Sequence, residues 1–145
     1  MSEPSINTVP RSFWVIGGIA LVWNLLGLMA YLMQVTMDEA TLAAMPTAER
    51  AVYESMPTWA VSAFAIAVNA GVLASLLLLL RRTWAVPVFI VSLVAVVIQD
   101  AGALFVAGAI EGMAAASAIM PVLVLLIGGY LVVYSRSAKQ RGWLR

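Results

Sequence analysis

Four runs of apolar residues alternate with short polar stretches along the chain, and each run is long enough to cross a bilayer. A spanning helix needs about 20 apolar residues. The first run, Phe13 to Val35, is unbroken by charge. The second runs from about Trp59 to Leu80, the third from about Trp84 to Ala109, and the fourth from about Ala114 to Tyr134. The pattern predicts an all-α membrane protein: a four-transmembrane-helix antiparallel bundle, forming one membrane domain over residues 1–145. Pro57 suits the first turn of the second span, where a missing N–H costs nothing. Pro121 lies inside the fourth span and predicts a kink there.

The loop over residues 36–58 has a pattern of its own. Thr36 and Glu39 read as a capping box opening a short helix, Pro46 ends it, and Ala48 to Met56 reads as a second helix. Leu42, Met45, Val52 and Met56 would then face the bundle or bilayer, with Asp38, Glu39, Glu49 and Glu54 toward water. The loop is thus expected to be a short helical, extracytoplasmic cap. The other connections are tight turns, at Arg81-Arg82-Thr83 and around Glu111-Gly112, and a basic tail covers residues 135–145.

Composition strengthens the reading. Of 145 residues, 63% are hydrophobic and 10% charged, against roughly 45–50% and about 25% in a soluble domain. Lipid is the solvent that suits such a chain. The absence of cysteine and histidine removes thiolate chemistry, Ser–His and Cys–His pairs, and the usual zinc and haem ligands. No glycine-rich phosphate loop precedes a soluble helix, no carboxylates converge, and no metal-ligand cluster is spaced for binding. The expectation is a protein that is not an enzyme, has no catalytic residues, cofactor or metal, and does not bind nucleic acid.

Charge placement orients the spans. Arg11, Arg81, Arg82, Arg136, Lys139, Arg141 and Arg145 fall on one side, seven of the eight basic residues, and only Arg50 falls on the other. The positive-inside rule puts that side, with both termini, in the cytoplasm of a multi-pass bacterial inner (plasma) membrane protein. Trp14, Trp59 and Trp84 sit at span ends as an interfacial belt would place them, and Tyr130 and Tyr134 read as further anchors. The first run is too long for the apolar core of a signal peptide, so it is expected to stay as a span.

The spans have faces. Gly17, Ala20, Asn24, Gly27, Tyr31 and Gln34 recur at spacings of three and four in the first span, one stripe on a helix. Ala63, Ala67, Gly71 and Ser75 form a ridge at four-residue spacing in the second. Small and polar residues mark packed faces in lipid, since burying leucine against leucine gains nothing there. At about 1.5 Å per residue, Asn24 and Asn69 both reach the midplane, which predicts a hydrogen bond between them. Gln99 and Asp100 fall in the outer third of the bilayer, level with Tyr31 and Gln34. Tyr31, Gln34, Gln99 and Asp100 would line the mouth of an outward-facing polar pocket, with Asn24 and Asn69 at its floor and Trp23 and Phe105 nearby. Amides beside aromatics suit a small polar solute such as a sugar, and Asp100 alone would suit a cation or a proton. The competing expectation is that the amides only bond neighbouring helices.

Phe13-Trp14 through Trp23-Asn24, Gly27 and Tyr31, the acidic loop, Pro57-x-Trp59, and Arg81-Arg82 after an apolar run together resemble a family of small four-span bacterial inner-membrane proteins. Some members are labelled sugar transporter. The resemblance runs through the third span and is loose beyond it. It implies transport and carries over no functional residues. Small multidrug transporters also have four spans, but their hallmark is a glutamate embedded in the first; here that span holds Asn24 and no acid. The sequence therefore points to a small-solute transporter or binder in contact with the lipid bilayer. The alternative is an accessory or scaffold subunit, in a homo-oligomer or a larger membrane complex, whose docking face is the second-span ridge.

Overall fold

A computed structural model describes residues 8–108 and 118–145. Among these residues six α-helices follow one another: α1 (Arg11–Val35), α2 (Glu39–Ala44), α3 (Thr47–Ser55), α4 (Thr58–Leu79), α5 (Ala85–Gly108) and α6 (Ile119–Gln140). Four of them, α1, α4, α5 and α6, are long and apolar enough to cross a membrane. They pack against each other as an all-α four-helix bundle. The expected turn at Glu111-Gly112 and the expected fourth-span start at Ala114 lie outside the described residues.

Proline positions explain several helix starts. Pro57 is the residue capping α4 rather than a member of its first turn. Pro87 falls in the first turn of α5. Pro121 does not interrupt a long helix as expected; it occupies the first turn of α6, where no intrahelical N–H is needed. The last helix also runs farther than its apolar stretch. It continues to Gln140, so Arg136 and Lys139 ride on helix rather than on a loose tail.

The loop cap forms with a different start. Asp38, not Thr36, caps α2: its carboxylate accepts the Thr41 amide hydrogen at 2.9 Å. Hydrogen bonding from the Thr41 hydroxyl, and then from its amide, lowers the Asp38 carboxyl from its ordinary value. The Thr36 hydroxyl turns back to donate to Leu32 O at the end of α1. Leu42, Met45, Val52 and Met56 are half-buried, and the four acids are exposed. α3 touches α5.

The most extensive interface joins α4 to α5, followed by α1 with α4 and α5 with α6. The largest cluster of buried side chains lies at the Arg81 end, where Phe13, Leu78, Phe89, Leu131 and Leu144 meet. Phe13 is fully buried there, edge-on to Trp143 at 6.0 Å and stacked on Tyr134 at 6.4 Å. This cluster ties α1 to α6. Tyr134 is therefore a packing residue rather than a headgroup anchor, whereas Tyr130 is half-exposed. Trp14, Trp59 and Trp84 are exposed at span ends, as a belt requires.

Two matching helix ends lock this base. In each, the second residue after the helix takes a left-handed turn, and it and the residue following it donate back to the helix's last carbonyls. At α6, Gly142 has φ 72°, and its amide bonds Lys139 O while Trp143 bonds Ala138 O. At α4 the equivalent residue is Arg81, with φ 58° and bonds from Arg81 to Leu78 O and from Arg82 to Leu77 O. A side-chain-bearing residue costs roughly 1–2 kcal/mol in this conformation. Arg81 offsets the cost: its Nε donates to Trp143 O at 2.7 Å, and its carbonyl accepts the Arg145 amide. Thr83 in turn donates to Arg145 O. Alanine at position 81 keeps the strain and loses the side-chain bond, whereas glycine loses the bond and the strain together. Arg81→Ala is expected to melt at a lower temperature than Arg81→Gly in detergent, by the equivalent of about 1 kcal/mol.

Candidate functional site

The site begins with the stripe on α1. Gly17 and Ala20 are buried, and Asn24, Gly27, Tyr31 and Gln34 are half-buried. The remaining positions, such as Ile19, Val22, Leu26 and Met33, are exposed apolar residues. The stripe faces α4. All four ridge residues of α4, Ala63, Ala67, Gly71 and Ser75, are buried. The ridge is thus covered by the protein's own helices and is not a free docking face.

Near the midplane the helices are joined by polar contacts. Asn24 Nδ2 donates to Ala20 O at 2.8 Å within α1 and to Ser75 Oγ of α4 at 3.1 Å. The Ser75 hydroxyl donates to Gly71 O at 2.8 Å. From the other side, Ser92 of α5 donates to Ala67 O at 2.7 Å. The expected Asn24–Asn69 bond does not form. Asn69 is exposed, and its Nδ2 donates to Ala65 O of its own helix at 2.8 Å. Two residues separate Asn69 from Gly71, which turns it about 200° around the helix, away from α1. Matching depth could not compensate for the wrong face.

Toward the end remote from Arg81, α1 and α6 part. A cavity of about 360 Å³ opens between them, backed by α4 and α5. Its walls are mainly apolar and aromatic, from Trp23, Phe64, Val68, Val96 and Val124. Asn24, Ser92, Gln99 and Asp100 supply the polar side chains. The rim includes Leu26 and Ala30 on α1 and Met120 on α6, all exposed on the flanks of their helices. Among the described residues the mouth therefore opens at least partly on the lateral face of the bundle, between α1 and α6.

Asp100 is the exceptional wall residue. It is only 5% exposed, and its Oδ2 is buried with no hydrogen-bond partner. Every other described residue in the wall is neutral.

Of the six residues expected to form a pocket, the fold brings together Asn24, Gln99 and Asp100. Tyr31 instead packs its ring edge-on to Phe64 at 5.5 Å, just behind the wall. Gln34 is half-buried and does not line the cavity, and Asn69 faces away. Phe105, expected nearby, is 79% exposed and takes no part. Ser92, Phe64 and Val124 were missed. The serine carried a signal, being the one hydroxyl of the third span, level with the midplane.

Bundle and cavity together define the class: an integral membrane protein of four apolar helices with a partly polar recess between its first and last spans. No protein family, curated protein or solved structure matches the chain. Among the described residues no group of three or more Asp, Glu, His or Cys could hold a metal ion.

Proposed function

We propose that this protein binds a small solute in the recess between α1 and α6 and moves it across the membrane. The carrying observation is the cavity itself: about 360 Å³ inside an apolar bundle, with Asn24, Gln99 and Asp100 converging on it. Ligand sites are mainly apolar recesses of about 300–1,000 Å³ in which a few placed polar groups fix orientation. A bundle held together only by lipid-facing spans and interhelical bonds needs no such recess.

The chemistry of the wall supports an amphipathic solute over a sugar. Every sugar hydroxyl taken from water needs a partner, and the wall has only four polar side chains. The link to sugar transport is carried by the resemblance in the first three spans alone. The charge bias supports a bacterial inner-membrane protein with the Arg81 turn and residues 136–145 on the cytoplasmic side. In that orientation the cavity opens toward the outside.

The test is uptake into proteoliposomes, screened over neutral, cationic and anionic small solutes. Val124→Trp, which fills the cavity, serves as the control. Uptake of at least one solute above empty liposomes, abolished by Val124→Trp, is the expected outcome. Uptake indistinguishable from empty liposomes for every solute would count against transport.

A further inference from the structure

We propose that the ligand class is a lipophilic amine, its ammonium group held by Asp100 and its apolar body held between Trp23, Phe64 and Val124. This rests on the recess being a ligand site. Three observations carry it beyond that reading.

The first is charge. A carboxylate in an apolar interior is costly unless a proton or a cation compensates it. Asp100 is nine-tenths buried, its Oδ2 has no protein partner, and no lysine or arginine lines the cavity. The protein does not provide the compensating cation. A metal ion is a poor substitute, because Asp100 is the only carboxylate among the described residues of the wall and those residues contain no ligand cluster. A proton relay would need a second titratable group along the recess, and the described residues of the wall offer none.

The second observation is shape and surface. The rest of the wall is aromatic and aliphatic, which suits a hydrocarbon or aryl body. Trp23, in the wall, is also the ring type that attracts organic cations most strongly. The third is the route. The rim residues Leu26, Ala30 and Met120 are exposed toward lipid, so a solute already partitioned into the bilayer reaches Asp100 without crossing a polar barrier.

The experiment compares phenylbutylamine with its neutral isostere phenylbutanol, by equilibrium binding to the protein in lipid nanodiscs with empty nanodiscs subtracted. The amine is expected to bind about tenfold more tightly than the alcohol. Asp100→Asn should erase that preference while leaving alcohol binding intact, and Asp100→Glu should retain part of it. All variants are first checked for monodisperse elution, and the wild-type comparison stands even where a variant does not fold. Equal binding of both probes to the wild type, lost in Val124→Trp, would overturn the amine assignment and leave the recess as a site for neutral solutes. An amine preference that persists in Asp100→Asn would overturn the role of Asp100. Binding of neither probe above the Val124→Trp level would overturn the ligand-site reading itself.

Discussion

Alanine at position 71 is expected to destabilise the bundle by about 1–3 kcal/mol, although the same change at an exposed helical glycine is stabilising. The reason lies in how closely α1 approaches α4. A Cβ on residue 71 would overlap the Asn24 side-chain carbonyl and lie 2.8 Å from its Cγ and 3.2 Å from Ser92 Oγ. Rotating only the Asn24 amide group leaves the Cγ conflict in place, so the whole side chain must swing away. The bond to Ser75 then breaks. In a membrane such a bond is worth on average about 0.6 kcal/mol, and up to about 1.7. The rest of the cost is lost packing, which holds spans together where lipid supplies no hydrophobic drive. Alanine at Gly18 or Gly129, where nothing lies within 4 Å, should be neutral or slightly stabilising. The severe overlap is with Asn24, the Ser92 contact being milder, so Gly71→Ala should cost much less in an Asn24→Ala background. Reversible unfolding in detergent mixtures would read the coupling as a double-mutant cycle. Additive effects would show that Asn24 does not rest on Gly71.

The second large effect has the opposite sign. Asp100→Leu is expected to stabilise the ligand-free bundle by about 1–3 kcal/mol while removing recognition of a cation. A buried polar group left without a partner costs about that much, and an apolar replacement of similar size recovers it. Natural binding sites commonly hold such groups at the expense of stability. The comparison is between unfolding midpoints of the wild type, Asp100→Asn and Asp100→Leu in the same detergent, with the order expected to rise toward leucine. A drop in stability for Asp100→Leu would mean that the carboxyl is engaged in bonds the bundle relies on.

How far the sequence leads depends on which physical rule governs each feature. Bilayer thickness sets span length, so hydropathy places α1, α4 and α5 closely. Small and polar residues at three- and four-residue spacing mark packed faces, and both the α1 stripe and the α4 ridge are the buried faces. Depth counting along the helix axes agrees with the fold in that Asn24 and Asp100 border one space. It carries no information about direction around a helix, and that is where Asn69 was misplaced. The cavity itself was less legible. It exists because the Phe13 cluster pins α1 to α6 at one end and nothing among the described residues does so at the other. That contrast depends on Trp143 and Leu144 folding back over the base, in a segment that reads as a solvated basic tail. The burial of Asp100 was hidden for the same reason. Its depth placed it in the outer third of the bilayer, whereas in the fold it is buried.

A water-accessible recess within the membrane, between α1 and α6, underlies the rest. The chain has no cysteine, so single thiols can be introduced against a silent background. Maleimides react with the thiolate, which forms only where water reaches. Val124 lines the cavity, while Leu126, two residues farther along the same helix and about 3 Å deeper or shallower, is 66% exposed on the lipid side. In proteoliposomes, Val124→Cys is expected to react with N-ethylmaleimide about tenfold faster than Leu126→Cys, and bound phenylbutylamine should slow it. Equal and negligible labelling at both positions would contradict a hydrated recess between α1 and α6.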